Sequence, residues 1–139
     1  KKLESWLELN PDSGVFLHKS VGNEAIPAIL VQYDVVLVSQ KKVIYGTLPS
    51  KTYEAMAAGL PMLFHGGGEG AELVRKHGIG LVSEPADWAG LRENIEKMTE
   101  MNSHTLWEMG QKGRGVAQSE VNRKLIIERF LSELPHYLD

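Results

Sequence analysis

An α/β fold, a parallel sheet with helices on both faces, is predicted by three observations on this chain. Val15 to His18, Val35 to Ser39, Met62 to His65 and Ile79 to Ser83 are short apolar runs of the kind buried on both faces of a parallel sheet. Segments suited to helical crossovers lie between them, at Glu24 to Gln32, Pro49 to Ala58 and Gly70 to His77. After Ser83 strand patterning stops, and the periodicity is helical over Trp88 to Met101, Thr105 to Ala117 and Asn122 to Leu134, with Asp87, Ser103 and Asn122 as caps. Residues 1–100 therefore read as an α/β portion and residues 101–139 as C-terminal helices.

The opening KKLESWLELN is an amphipathic helix rather than the apolar core of a signal peptide. The crossover from Pro49 to Ala58 is the best marked element. Pro49 fixes φ and lacks an N–H, so it suits a first turn. Thr47 or Ser50 can supply the capping oxygen, and the sequence leaves both open. Gly59 stands where a left-handed residue ends a helix, and Pro61 prevents continuation. At 3.6 residues per turn, Tyr53, Met56, Ala57 and Leu60 share an apolar stripe, while Lys51, Glu54, Ala55 and Ala58 share a small-sided, charged one. Lys51 and Glu54 read either as an i,i+3 surface pair, worth a few tenths of a kcal/mol, or as ligand groups. A helix N-terminus favours an anion, and a carboxylate one turn in can accept from a ribose diol.

Composition bounds the function. The 139 residues are 42% hydrophobic and 24% charged, as in one ordinary globular domain. A net charge of -3 with scattered Lys and Arg argues against a nucleic-acid partner. No apolar run reaches the length of a membrane span. The absence of cysteine excludes disulfides and thiolate metal sites and is compatible with a cytoplasmic protein. His18, His65, His77, His104 and His136 fall on different elements with no zinc-type spacing, so no metal is expected.

Ligands of open α/β sheets bind outside the carboxyl ends of the strands. Tyr45 to Leu48, Gly66 to Gly70 and His18 to Gly22 should all lie at that edge. Gly66, Gly68 and Ala71 form a G-x-G-x-x-A pattern, with Glu84 ending the next strand, which on paper is a dinucleotide fingerprint. Glu69 counts against an NAD site, because it puts a negative charge where pyrophosphate belongs. No Gly-Lys-Ser/Thr follows, which excludes a P-loop. His18 and His65 read as hydrogen-bonded strand-end histidines more readily than as phosphate ligands, and Tyr45 reads equally as a sugar-stacking or a packed ring. Trp6, Trp88 and Trp107, at helical positions among apolar residues, are expected to pack. Leu125, Ile126, Phe130, Leu131 and Leu134 should bury one face of the last helix.

With these residues set out, the chain from about Val15 onward resembles the C-terminal, donor-binding domain of the retaining GT-B glycosyltransferases of family 4. VFLHKSV, AILVQYDVVLVSQ, GTLPSKTYEAMAAGLPMLFHGGGEGAELV and GIGLVSEPADWAGLRENI carry the resemblance in order. The G-x-x-P-S-K-x-x-E-x-M-A-x-G-x-P pattern is similar to transferases of amino-deoxysugars in surface polysaccharide synthesis. The resemblance implies a Rossmann-like sheet, a UDP-, GDP- or dTDP-sugar as donor substrate with no cofactor, and a glycan or lipid-linked acceptor met through a further N-terminal domain. The start at Lys1 is expected to mark a fragment, with the isolated chain inactive. A cytoplasmic site with peripheral association at the inner membrane face follows the same resemblance.

The resemblance also implies residues. Glu54 matches the glutamate that holds the ribose. Leu48, Pro49, Ser50 and Lys51 would cradle the diphosphate, and the turn Lys19, Ser20, Val21 would hold the base. The family keeps a second glutamate at the sugar, separated from the ribose glutamate by seven residues, and that position is Gly46 here, with Thr47 beside it on the sugar side. The sugar contact must come from elsewhere. Glu72 matches the family's E-L after the glycines, as a cap or a ligand contact. Two readings of other classes stand beside a transferase: a noncatalytic nucleotide-sugar binding module, which Gly46 favours, and a GT-B-like epimerase.

Overall fold

The computed structural model describes residues 2–134, so Lys1 and His136 lie outside the described residues. Helix α1 spans Lys2–Leu9, and a 3₁₀ turn at Asn23–Ala25 leads into α2, Ile26–Leu30. Three strand–helix units follow: β1 Val36–Ser39 and α3 Ser50–Ala58, β2 Met62–His65 and α4 Glu69–His77, then β3 Gly80–Ser83 and α5 Trp88–Glu100. Helices α6, Ser103–Ser119, and α7, Arg123–Glu133, complete the chain. The strands are parallel in the order β1-β2-β3.

The central strand β2 is buried on both faces, as its unbroken apolar run predicts. Met62 and Phe64 join Val38, Ala55, Met56, Ala71, Val74, Ile79 and Val116 in a core between the sheet, α3, α4 and α6. Leu63 turns to the opposite face, where Ile95 and Met98 of α5 border the same cavity. Both returns into the sheet use one device. Gly59, at φ 72°, follows α3, and the N–H of Leu60 donates to the Ala55 carbonyl at 3.0 Å. Gly78, at φ 60°, follows α4, and the N–H of Ile79 donates to the Val74 carbonyl at 3.2 Å. This six-to-one bond needs a left-handed residue that glycine supplies without a Cβ penalty.

Several expectations are corrected. Val15 to His18 is not a strand, and Phe16 is 79% exposed. An apolar run becomes a strand only beside a partner that takes its N–H and C=O groups, and among the described residues none lies there. Glu24 to Gln32 is a short 3₁₀ turn plus a five-residue helix, because Pro27 has no N–H to give and is tolerated only in the first turn. Asn102 rather than Ser103 caps α6, accepting from the Thr105 N–H at 2.9 Å, three residues on. Neither Thr47 nor Ser50 caps α3. Its N-cap is Pro49, which has no capping side chain, and Ser50 is already helical.

The buried stripe of α3 is Thr52, Ala55 and Met56, so Ala55 belongs to the core and Tyr53 is 40% exposed. The stripe is set by α6 as well as the sheet. Trp6, Trp88 and Trp107 are largely exposed, and α7 buries no residue, its Leu125, Ile126, Phe130 and Leu131 all facing solvent among the described residues. Periodicity identifies an apolar helix face but not whether another element covers it.

Helix α6 reaches α3 through glycine. A Cβ on Gly110 would overlap the Gly59 carbonyl oxygen, while Gly113 faces Met56 and Ile79. Gly110→Ala is expected to push the helices apart and cost about 1–3 kcal/mol. Urea unfolding should show a lower midpoint at unchanged slope, and an unchanged midpoint would mean that this contact has slack.

Candidate functional site

Because the three strands are parallel and in register, Ser39, His65 and Ser83 end on one line. The loops after them, residues 40–49, 66–68 and 84–87, therefore rise from one edge. The first two pack together. Added Cβ atoms at Gly66 and Gly67 would each come within 2.6 Å of the first loop, at Gln40 and Val43 respectively, so glycine is what lets the loops approach. Beneath them His65 is 1% exposed, its Nδ1 2.8 Å from the Ser83 hydroxyl, and its ring lies 4.8 Å from that of Trp88. The expectation of a hydrogen-bonded strand-end histidine is met there, although the buried Nε2 has no partner.

Across the two loops, the Gly46 N–H donates to Glu69 Oε1 at 2.8 Å. That N–H, and then Glu69's own, hold the carboxyl below its ordinary range, against a slight opposing effect of burial. Gly46 has φ 74°, a left-handed conformation that side chains with a Cβ adopt at a cost, and open space surrounds its Cβ position. The sign of the pH effect follows: a carboxyl lowered on folding contributes fully above its ordinary pKa of 4.5 and loses the contribution as pH falls through the lower folded-state value. The Gly46 amide resonance should therefore titrate with a midpoint below 4.5. A midpoint at or above 4.5 would show that the contact does not hold the charge.

Helix α3 carries the charged residues away from this junction. Lys51 and Glu54 are exposed, and no ion pair joins them among the described residues. Glu54 instead lines a cavity of about 350 Å³ between α2 and α3, with Asn23, Ile26, Pro27, Leu30, Ala57 and Ala58. Leu48 and Pro49 are half-buried at the helix entry, with Thr47, Ser50 and Lys51 exposed around it. Thr47 and Pro49 border a second cavity with Gln40, Lys41, Lys42 and Ile44.

The other expected residues are less tightly gathered. Lys19 and Val21 line a neighbouring cavity with His18, Ile29, Gln32 and Tyr33, which shares Ile26 with the Glu54 cavity, and Ser20 is exposed between them. Tyr45 is 81% exposed, so it is not a packed ring. Glu72 is exposed in the first turn of α4. Sequence reasoning missed three things: the Glu69 contact to Gly46, the Trp88–His65 pair, and the apolar wall that α2 gives the Glu54 cavity. Only the last had a signal, in the spacing of Ile26 and Leu30.

In overall fold the chain is similar to sucrose-phosphate synthase from Thermosynechococcus elongatus, with a TM-score of 0.80 and 22% identity, over 99% of this chain and 33% of that one. At that identity the likeness concerns the fold, and this chain spans about a third of that structure's length. It bears out the Rossmann-like sheet of a GT-B glycosyltransferase domain with a helical C-terminal end. No curated protein matches in sequence. The profile described as glycosyl transferases group 1 matches residues 1–116, so the likeness begins before Val15 and ends within α6. The chain therefore belongs to the glycosyl transferases group 1 family.

Proposed function

We propose that the chain is the donor-binding portion of a retaining glycosyltransferase that takes a sugar from a nucleoside diphosphate and passes it to a glycan or lipid-linked acceptor. The observation that carries the reading is the position of Glu54: an exposed carboxylate with no ion-pair partner among the described residues, at the rim of a largely apolar cavity, one turn inside a helix whose N-terminus has no side-chain cap. A cavity of about 350 Å³ walled by Ile26, Pro27 and Leu30 suits a planar base. Glu54 then accepts from the ribose hydroxyls. The first-turn N–H groups of α3, with Lys51 and the residues Leu48 to Ser50, stabilise the diphosphate as it leaves. The base is thus assigned to the α2 wall beside Asn23, with Lys19 to Val21 contributing from the preceding turn.

The acceptor would be met by a further domain, in cytoplasmic polysaccharide synthesis with peripheral association at the inner membrane face. Transfer of an amino-deoxysugar is the substrate reading that the G-x-x-P-S-K pattern supports. Among the described residues no helix is long and apolar enough to cross a membrane. The test is calorimetric titration of UDP-, GDP- and dTDP-sugars and of NADH into the protein. Saturable binding of one sugar nucleotide, in about the micromolar to millimolar range, is the expected result. Binding of NADH with no response to any sugar nucleotide would overturn the proposal.

A further inference from the structure

We infer that Glu69 is the acidic residue that reads the hydroxyl groups of the donor sugar, a role resting on the donor-site reading above. Gly46, in the loop that leads into α3, has no side chain and a left-handed φ of 74°. A carboxylate reaches it from the first turn of α4, with Glu69 Oε1 accepting from the Gly46 N–H at an N to O distance of 2.8 Å. Glu69 is exposed, and the space over Gly46 is open, so a ligand has room to approach the carboxylate there.

The order of groups along the site matches the order of groups in the donor. Glu54 borders the base and ribose cavity, the entry of α3 at Ser50 and Lys51 faces the diphosphate, and Gly46 lies beyond it along the loop. A nucleotide sugar runs base, ribose, diphosphate, sugar. A carboxylate beside the distal phosphate is repelled by it, so its favourable partners there are donors, and the hydroxyls of a pyranose supply them. The Gly46 N–H occupies one oxygen and orients the other.

The test compares a nucleoside diphosphate with its sugar conjugate, titrated into wild type, Glu69→Gln and Glu69→Ala. Both variants should lose about tenfold or more in affinity for the nucleotide sugar, while the nucleoside diphosphate binds as well as before or better, because a nearby negative charge is gone. Among monodeoxy donors, one should bind wild type poorly and bind Glu69→Gln no worse than its parent. An unchanged sugar-nucleotide affinity in Glu69→Gln would overturn the inference. So would an equal loss for both ligands, which marks Glu69 as a prop for the loop. If wild type binds neither ligand, the donor-site reading itself fails, an outcome separable from both of these.

Discussion

Glu54→Ala is expected to lower the affinity for any nucleoside diphosphate that the protein binds by about a hundredfold. The carboxylate can accept two charge-assisted hydrogen bonds from a ribose diol, each worth about 1.5 kcal/mol at the low end of its range. Their sum of about 3 kcal/mol corresponds to roughly two decades in Kd. Glu54→Gln keeps one acceptor and should lose about one decade. Neither variant should unfold the protein, since Glu54 is exposed and the buried stripe of α3 runs through Thr52, Ala55 and Met56. Calorimetry on both variants, alongside their thermal midpoints, decides the matter: undiminished binding to Glu54→Ala would remove the ribose assignment while leaving the fold untouched.

The largest effect on stability should come from Phe64→Ala, at about 3–5 kcal/mol. Phe64 is fully buried on the central strand, among Val38, Ala71 and Val74 of the same core. Its ring also fills the space that Gly70 leaves, since a Cβ added at Gly70 would overlap the ring. A typical domain has only about 5–15 kcal/mol in total, so this one substitution removes a large share. The Gly70 contact makes the mechanism testable. Gly70→Ala should destabilise wild type by overpacking and be partly relieved in combination with Phe64→Leu, which shortens the ring side. Strict additivity of the two in denaturant unfolding would show that they do not share the space.

Much of the fold was legible because local chemistry and tertiary outcome agree. Met62 to His65 reads as a strand buried on both faces and is one, and Gly59 with Pro61 marks an end that the chain obeys. Where the outcome depends on a distant partner, the reading fails. Val15 to His18 is as apolar as β1, but a strand is made by its neighbour as much as by its own residues. The face of α3 was misplaced by one position because α6, some fifty residues on, shares in covering it. In the candidate site, Glu54 and the entry of α3 were visible because one helix carries them all. Glu69 was visible only as an unwelcome charge, since its bond to Gly46 crosses 23 residues between two loops. No periodicity encodes such a reach.

The paired glycine returns after α3 and α4 have a consequence for how this sheet can change. Each sets the residue on which the next strand begins, so one residue inserted after Gly59 or Gly78 would invert the faces of the strand that follows. In β2 that inversion would press the His65 ring into the hydrocarbon interior and carry Phe64 out toward Trp88. The opposite edge has no such metronome. Loops 40–49 and 66–68 can lengthen, shorten or exchange residues without altering a strand's phase. Insertions and deletions should therefore be destructive on one rim of the sheet and tolerated on the other, leaving the rim that carries the candidate site free to vary over a fixed frame.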